Sequence, residues 1–321
     1  MEVTKNILEK FIYDYKLPIP IAEEPYFSYY LDLYDKDYDT KKKYKLFLEA
    51  VERFETENEF FDYMQEVRLM MINTIKLSDA YKRFNDERNF DFVVDKKQNP
   101  NPKFLPTPSV RNVNFSKRTD VYMLENVNKC YLSIDLKKAN FQVLKKYDER
   151  IVSGAKSYDE FIRKFTDSEY IIQSKNFRET VFGFLNMGRI ALMERYYVGK
   201  IIEWLLDNNL FKAEEMIIYT NDELVILLDD ILSPEECKNI KDRIQKEIKL
   251  EVSAESFCLK SIGNKKYFVK EDSTGEKVFK AIPAAYFPQA YKKYYGKDIE
   301  DIDLCFLFEH NIAKFEKSIF D

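Results

Sequence analysis

Two β-prone runs, Met216-Ile-Ile-Tyr-Thr220 and Glu223-Leu-Val-Ile-Leu-Leu228, are separated only by Asn221-Asp222. A two-residue connection is too short for a crossover, so the runs can pair only as an antiparallel hairpin. Asn and Asp tolerate the left-handed backbone that so short a turn favours. The chain is thereby committed to an antiparallel sheet, and other segments supply further strands. Cys130-Tyr-Leu-Ser-Ile134 is a short apolar run ending at Asp135, and Leu250 to Lys260, Lys265 to Lys270 and Lys277 to Ile282 are divided by Gly263-Asn264 and Ser273-Thr274-Gly275.

Helical spacing dominates elsewhere. Phe60, Phe61, Met64, Val67, Met71 and Ile75, then Ala80, Tyr81 and Phe84, form an apolar stripe within a helical region expected over residues 1–92. This region carries 14 basic and 20 acidic residues, against 37 and 36 in the remainder, so the net acidity lies in the front end. Four prolines between Asn99 and Pro108 exclude a helix or central strand and mark a linker over 99–110. Ser157-Tyr-Asp-Glu160 and Thr166-Asp-Ser-Glu169 have the form of capping boxes, the second opening a long helical stretch to about Leu206, with a break expected near Gly183 to Gly188. Ser233-Pro234-Glu235-Glu236 starts another helix, and the end from about Ala284 is expected to be helical and aromatic.

Composition removes several classes of function. The formal charge of −5 excludes a globally basic coat, though not a local basic groove. A single histidine, His310, and four cysteines without a C-x-x-C leave no zinc finger and little room for Ser-His-Asp chemistry. Seven glycines, none in G-x-G-x-x-G or G-x-x-x-x-G-K-[ST], remove the glycine-built phosphate cradles. No stretch approaches the roughly 18 apolar residues of a membrane span, and MEVTKNILEK lacks a signal-peptide pattern. The cysteines are expected to be reduced thiols, and the location cytoplasmic. Tyr26, Phe27, Tyr29 and Tyr30 are read as core rather than as a base-stacking platform.

Carboxylates at strand ends are the remaining chemical signal. Two divalent ions roughly 4 Å apart need carboxylates brought together from different strands above a rigid apolar sheet. Asp135 ends one strand, and Asp222 lies at a hairpin tip beside Glu223. Ser133-Ile-Asp135-Leu-Lys-Lys-Ala-Asn140-Phe-Gln142 resembles motif A of the palm in template-directed nucleic-acid polymerases, its D-L-x-x-A form being similar to reverse transcriptases. Tyr219-Thr-Asn-Asp222-Glu223-Leu-Val-Ile226 resembles motif C, with Asp-Glu-Leu-Val closest to family A DNA polymerases. Ser174-Lys175-Asn-Phe-Arg178 through Asn186 looks like motif B, and Lys265-Lys266-Tyr267 is similar to a duplex-contacting element of family B enzymes. The resemblance covers about residues 110–282. It departs at Asn221, where the first motif C aspartate usually stands, and at Asn140, where the sugar is usually read.

The resemblance implies an α+β fold with a polymerase-like palm, its antiparallel sheet carrying helices on one face. The expected division is a helical N-terminal domain over 1–98, the linker, a palm-like domain over 111–282 with a helical fingers insertion at about 150–210, and a helical thumb-like segment over 283–321. The implied activity is template-directed nucleotidyl transfer with Mg²⁺ or Mn²⁺ held by Asp135, Asp222 and Glu223. Asn140, Lys175 and Arg178 are then expected to meet the nucleoside triphosphate, and Lys265, Lys266 and Tyr267 the primer-template duplex. The alternatives are an inactive palm-like nucleic-acid-binding or assembly protein, and a module that docks a protein partner through the acidic front end.

Overall fold

The structure, a computed structural model, describes residues 3–86, 121–263 and 265–321. The expected linker over 99–110 and the boundary at 98 lie outside the described residues. The front of the chain is helical: α1 (Lys5–Tyr15), α2 (Tyr26–Leu33), α3 (Asp35–Tyr38), α4 (Thr40–Val51), α5 (Glu57–Leu77) and α6 (Asp79–Asn85). Side-chain caps fix two of these starts. Thr4 accepts from the Ile7 N–H at 3.3 Å, and Thr56 forms a capping box with Glu59. On α5 the residues Phe60, Met64, Val67, Met71 and Ile75 are buried, as the spacing predicts.

Strand β1 (Cys130–Leu136) leads to α7 (Ala139–Tyr147), followed by α8 (Tyr158–Ile162), α9 (Glu169–Gln173), α10 (Lys175–Gly183) and α11 (Met187–Asp207). The first expected cap holds, since the Ser157 hydroxyl accepts from the Glu160 N–H at 3.1 Å. The second does not. Thr166 accepts instead from the Ser168 N–H at 3.0 Å, Ser168 occupies the cap position, and α9 ends after five residues. Ser174 and Asn186 then cap α10 and α11 through the N–H groups of Phe177 and Arg189; the break between α10 and α11 falls near Gly183 to Gly188 as expected, while the one at Ser174 departs from the expectation.

The hairpin of β2 (Met216–Tyr219) and β3 (Glu223–Leu228) precedes α12 (Pro234–Ile248), β4 (Val252–Ser261), β5 (Phe268–Asp272) and β6 (Lys277–Lys280). These strands form one antiparallel sheet in the order β2-β3-β1-β4-β5-β6. Neither Asn221 nor Asp222 is left-handed. The turn closes through paired backbone and Thr220 hydroxyl bonds to Glu223, so the hairpin is as expected and its turn chemistry is not. Leu132, Ile134, Leu136, Leu224, Ile226 and Val252 face α7, α11 and α12, where Ile201, Ile202, Leu205, Ile244 and Ile248 cover them. The opposite face carries Tyr131, Val225, Phe257, Leu259 and Phe268. Trp204 of α11 lies in the helical layer beneath the Arg243 guanidinium of α12, 5.2 Å from the ring centroid.

The C-terminal segment departs from the helical expectation. After α13 (Phe287–Tyr294) the chain forms a second hairpin, β7 (Cys305–Phe308) and β8 (Asn311–Lys314), turning through left-handed Glu309 and His310. The expectation of four reduced cysteines is also corrected. Cys130 and Cys258 are register partners on β1 and β4 and are joined as a disulfide, while Cys237 and Cys305 are free and buried. Their 128-residue separation in sequence hides a pairing that the strand register creates.

One aromatic-rich core joins α1, α2 and α4–α6 to α7–α11, the far ends of β4–β6 and α13, so the front helices close no core of their own. Phe27 and Tyr30 are fully buried within it, and Tyr26 and Tyr29 pack against it. The C-terminal segment is fastened by Lys292, whose ammonium meets Asp303 at 2.8 Å and Glu300 at 2.6 Å while Asp303 also accepts from the Tyr29 hydroxyl. Burial alone pulls the Lys292 pKa down, but its hydrogen bonds to Asp303, Glu300 and Tyr29 raise it overall. Asp303 is fully buried. Asp303→Ala removes the buried partner of that ammonium and leaves it only the exposed Glu300 as counter-charge, and a loss of about 3 kcal/mol in denaturant unfolding is expected; unchanged stability would show that the Glu300 contact suffices.

Candidate active site

The two expected motif aspartates meet at one end of the sheet. β1 ends at Leu136, one residue past Asp135, and the chain reverses through left-handed Lys138 into α7. The Leu136 N–H donates to the Asp222 carbonyl at 2.9 Å, tying the hairpin turn to the end of β1. On the other side, the Lys137 N–H donates to Glu251, and Gln142 bridges the Glu251 backbone through both of its amide atoms. Asp135 is opposite Glu223 on β3 and Ser253 on β4, while Ser133 is opposite Glu255. Strand alternation therefore puts Ser133, Asp135, Glu223 and Glu255 on the face away from α12. The Ser133 hydroxyl donates to Glu223 at 2.6 Å, and Thr220 donates to Asp222 at 3.3 Å.

The electrostatics follow from this crowding. Burial first, then the charges of Asp222, Glu223 and Glu255, push the Asp135 carboxyl up to about 7. Lys175, at the exposed start of α10, acts in the opposite direction on the same group. Lys270 reaches toward the cluster from β5, its ammonium 4.2 Å from the Phe257 ring centroid. Burial lowers its pKa, while Glu223, Glu255 and Asp135 oppose that shift.

Sequence reasoning missed Glu194. It lies on α11 at the rim, only 5% exposed, and burial followed by the charges of Asp222 and Asp135 raises it to about 7. The neighbouring Arg195 donates to the Asn221 side chain at 2.7 Å, and its carbonyl accepts from the Tyr219 hydroxyl at 2.6 Å, so α11 is pinned to the hairpin. Glu194 shares a stripe with Ile190, Val198 and Ile201 at helical spacing. A carboxylate within that apolar stripe was the only sequence-level signal. Glu255 and Lys270 carried none, because only strand register brings them to Asp135.

The remaining expected residues are dispersed. The buried Asn140 Oδ1 has no hydrogen-bond partner. Arg178 and Lys138 both lie over the Tyr158 ring, at 5.7 and 5.5 Å from its centroid. Lys265 and Lys266 are exposed and Tyr267 is half-buried at the β4–β5 connection. That connection follows Ser261, eight residues along β4 from the partner of Asp135, or roughly 25 Å away at the usual rise per residue.

The carboxylate and hydroxyl oxygens at the rim are the hard donors that Mg²⁺ and Mn²⁺ take. Among the described residues no group of three acidic, histidine or cysteine side chains is already gathered for an ion. The donor chemistry thus suits such a cation without presenting a finished cage. No protein-family model, curated protein or solved structure matches the chain.

Asp135 and Glu194 hold protons in the fold that ordinary carboxyls release at about pH 4, so stability falls as pH rises from there to about 7 and then levels. Calorimetry of Asp135→Asn should show a shallower fall and a higher melting temperature than the parent at pH 8. Parallel curves would mean that Asp135 is not strained by its neighbours.

Proposed function

We propose that the chain is a template-directed nucleotidyltransferase of polymerase-like palm type. The observation that carries this reading is the convergence of Asp135, from the end of β1, with Asp222, from the β2–β3 turn, held by the Leu136 N–H to Asp222 carbonyl bond. Asp135, Asp222 and Glu223 are the residues that would hold two divalent cations. When bound, those cations supply charge neutralisation for the attacking and leaving oxygens of phosphoryl transfer. The sheet beneath keeps the carboxylates fixed through backbone bonds to both neighbouring strands. Lys175 brings positive charge to the same end of the sheet, where it would meet the phosphates of a nucleoside triphosphate. Arg178 stacks on Tyr158 and would hold the triphosphate less directly. The Asn140 carbonyl oxygen, buried and unpartnered, can accept from a sugar hydroxyl, which keeps ribonucleotides within the substrate range. Lys265, Lys266 and Tyr267 would touch a primer-template duplex at a distance from the reacting atoms.

A second reading, a palm-like nucleic-acid-binding protein without activity, is favoured by the absence among the described residues of a ready three-donor group. Primer extension separates the two readings. With DNA and RNA templates and both sugar forms supplied, the parent should incorporate nucleotide only with Mg²⁺ or Mn²⁺, and Asp135→Asn should be slower by at least about a hundredfold. Synthesis retained in that variant removes Asp135 from the site. If the parent binds duplex in a strongly salt-dependent way but extends no primer, the second reading takes over.

A further inference from the structure

We propose that Glu194 is an additional ligand for divalent cations, delivered to the carboxylate rim by helix α11 rather than by the sheet. This rests on the two-metal reading above and extends it to a residue outside all three motifs. The first observation is that Glu194 is 5% exposed and makes no hydrogen bond or ion pair with any described residue. A buried carboxylate ordinarily accepts several hydrogen bonds or faces a cation. The adjacent Arg195 guanidinium is engaged elsewhere, donating to the Asn221 side chain.

The second observation is its direction. The two Arg195 contacts hold this turn of α11 against Tyr219 and Asn221, the residues that lead into Asp222. Glu194 interacts electrostatically with Asp222 and Asp135, the two groups expected to grip metal. Its stripe neighbours are apolar, so packing gives no reason for a carboxylate there. Divalent cations bound at the rim would supply the counter-charge that these groups lack.

Mn²⁺ alone, titrated calorimetrically into the full-length chain at pH 8 and low salt, tests this assignment. The parent should bind, Asp135→Asn should lose binding, and Glu194→Gln should bind on the order of tenfold more weakly or worse. Glu194→Asp, which keeps the charge on a shorter arm, should fall between the parent and the Gln variant. The Mn²⁺-induced rise in melting temperature should shrink in the same order, a readout that a purely structural Glu194 would leave unchanged. Equal affinity in the parent and Glu194→Gln, with binding lost in Asp135→Asn, overturns the Glu194 assignment alone. No binding by the parent overturns the two-metal reading and this inference with it. Should Glu194→Gln fail to fold by circular dichroism, Glu194→Asp decides, and parent-like affinity there counts against the assignment.

Discussion

Repulsion among carboxylates held at one rim of an apolar sheet is the constraint around which this molecule is organised. Asp135, Asp222, Glu223, Glu255 and Glu194 come from three strands or their turns and one helix, and their mutual repulsion adds to the cost of burial. Such an arrangement survives only where the backbone cannot relax away from it. Here the end of β1 is bonded to the hairpin turn on one side and to the loop before β4 on the other. The neighbouring lysines reduce the charge without cancelling it, since Lys175 is exposed and Lys270 is itself partly desolvated.

The helices that approach this rim are positioned from far away in sequence. Fully buried Asp14 of α1 accepts from the Tyr170 hydroxyl and the Asn176 amide, and it pairs with Lys10, so the front of the chain fixes α9 and α10. Arg189 of α11 donates to the carbonyls of Phe84 and Asp86 at the end of α6. Lys175 and Glu194 therefore owe their placement to the front helices as much as to their own segments. The shared aromatic core has the same effect, because movement of α1 or α5 must be transmitted to α10.

Much of the fold was legible because it rests on periodicity. Strand alternation and the two-residue gap gave the β2–β3 hairpin, and helical spacing gave the buried stripe of α5. Turn chemistry was less informative in both directions. Asn221-Asp222 suggested left-handed residues and has none, whereas Glu309-His310 gave no such signal and both residues are left-handed, which hid the second hairpin. At the rim, Asp135 and Asp222 could be anticipated because each ends or joins a strand of its own. Glu255, Lys270 and the Cys130–Cys258 bond depend on which residues face one another across β1, β4 and β5, a relation fixed only by tertiary register. Glu194 was hidden because a lone carboxylate on an apolar helical stripe does not say which strand ends it will meet.

The position of Trp204 makes α11 self-reporting. It is the only tryptophan in the chain, its ring is covered by a guanidinium from α12, and it lies ten residues beyond Glu194, about 15 Å along the same rigid rod. Intrinsic fluorescence excited at the indole therefore comes from one known place. A tilt of this helix on ligand entry shifts or quenches that emission without any label being attached.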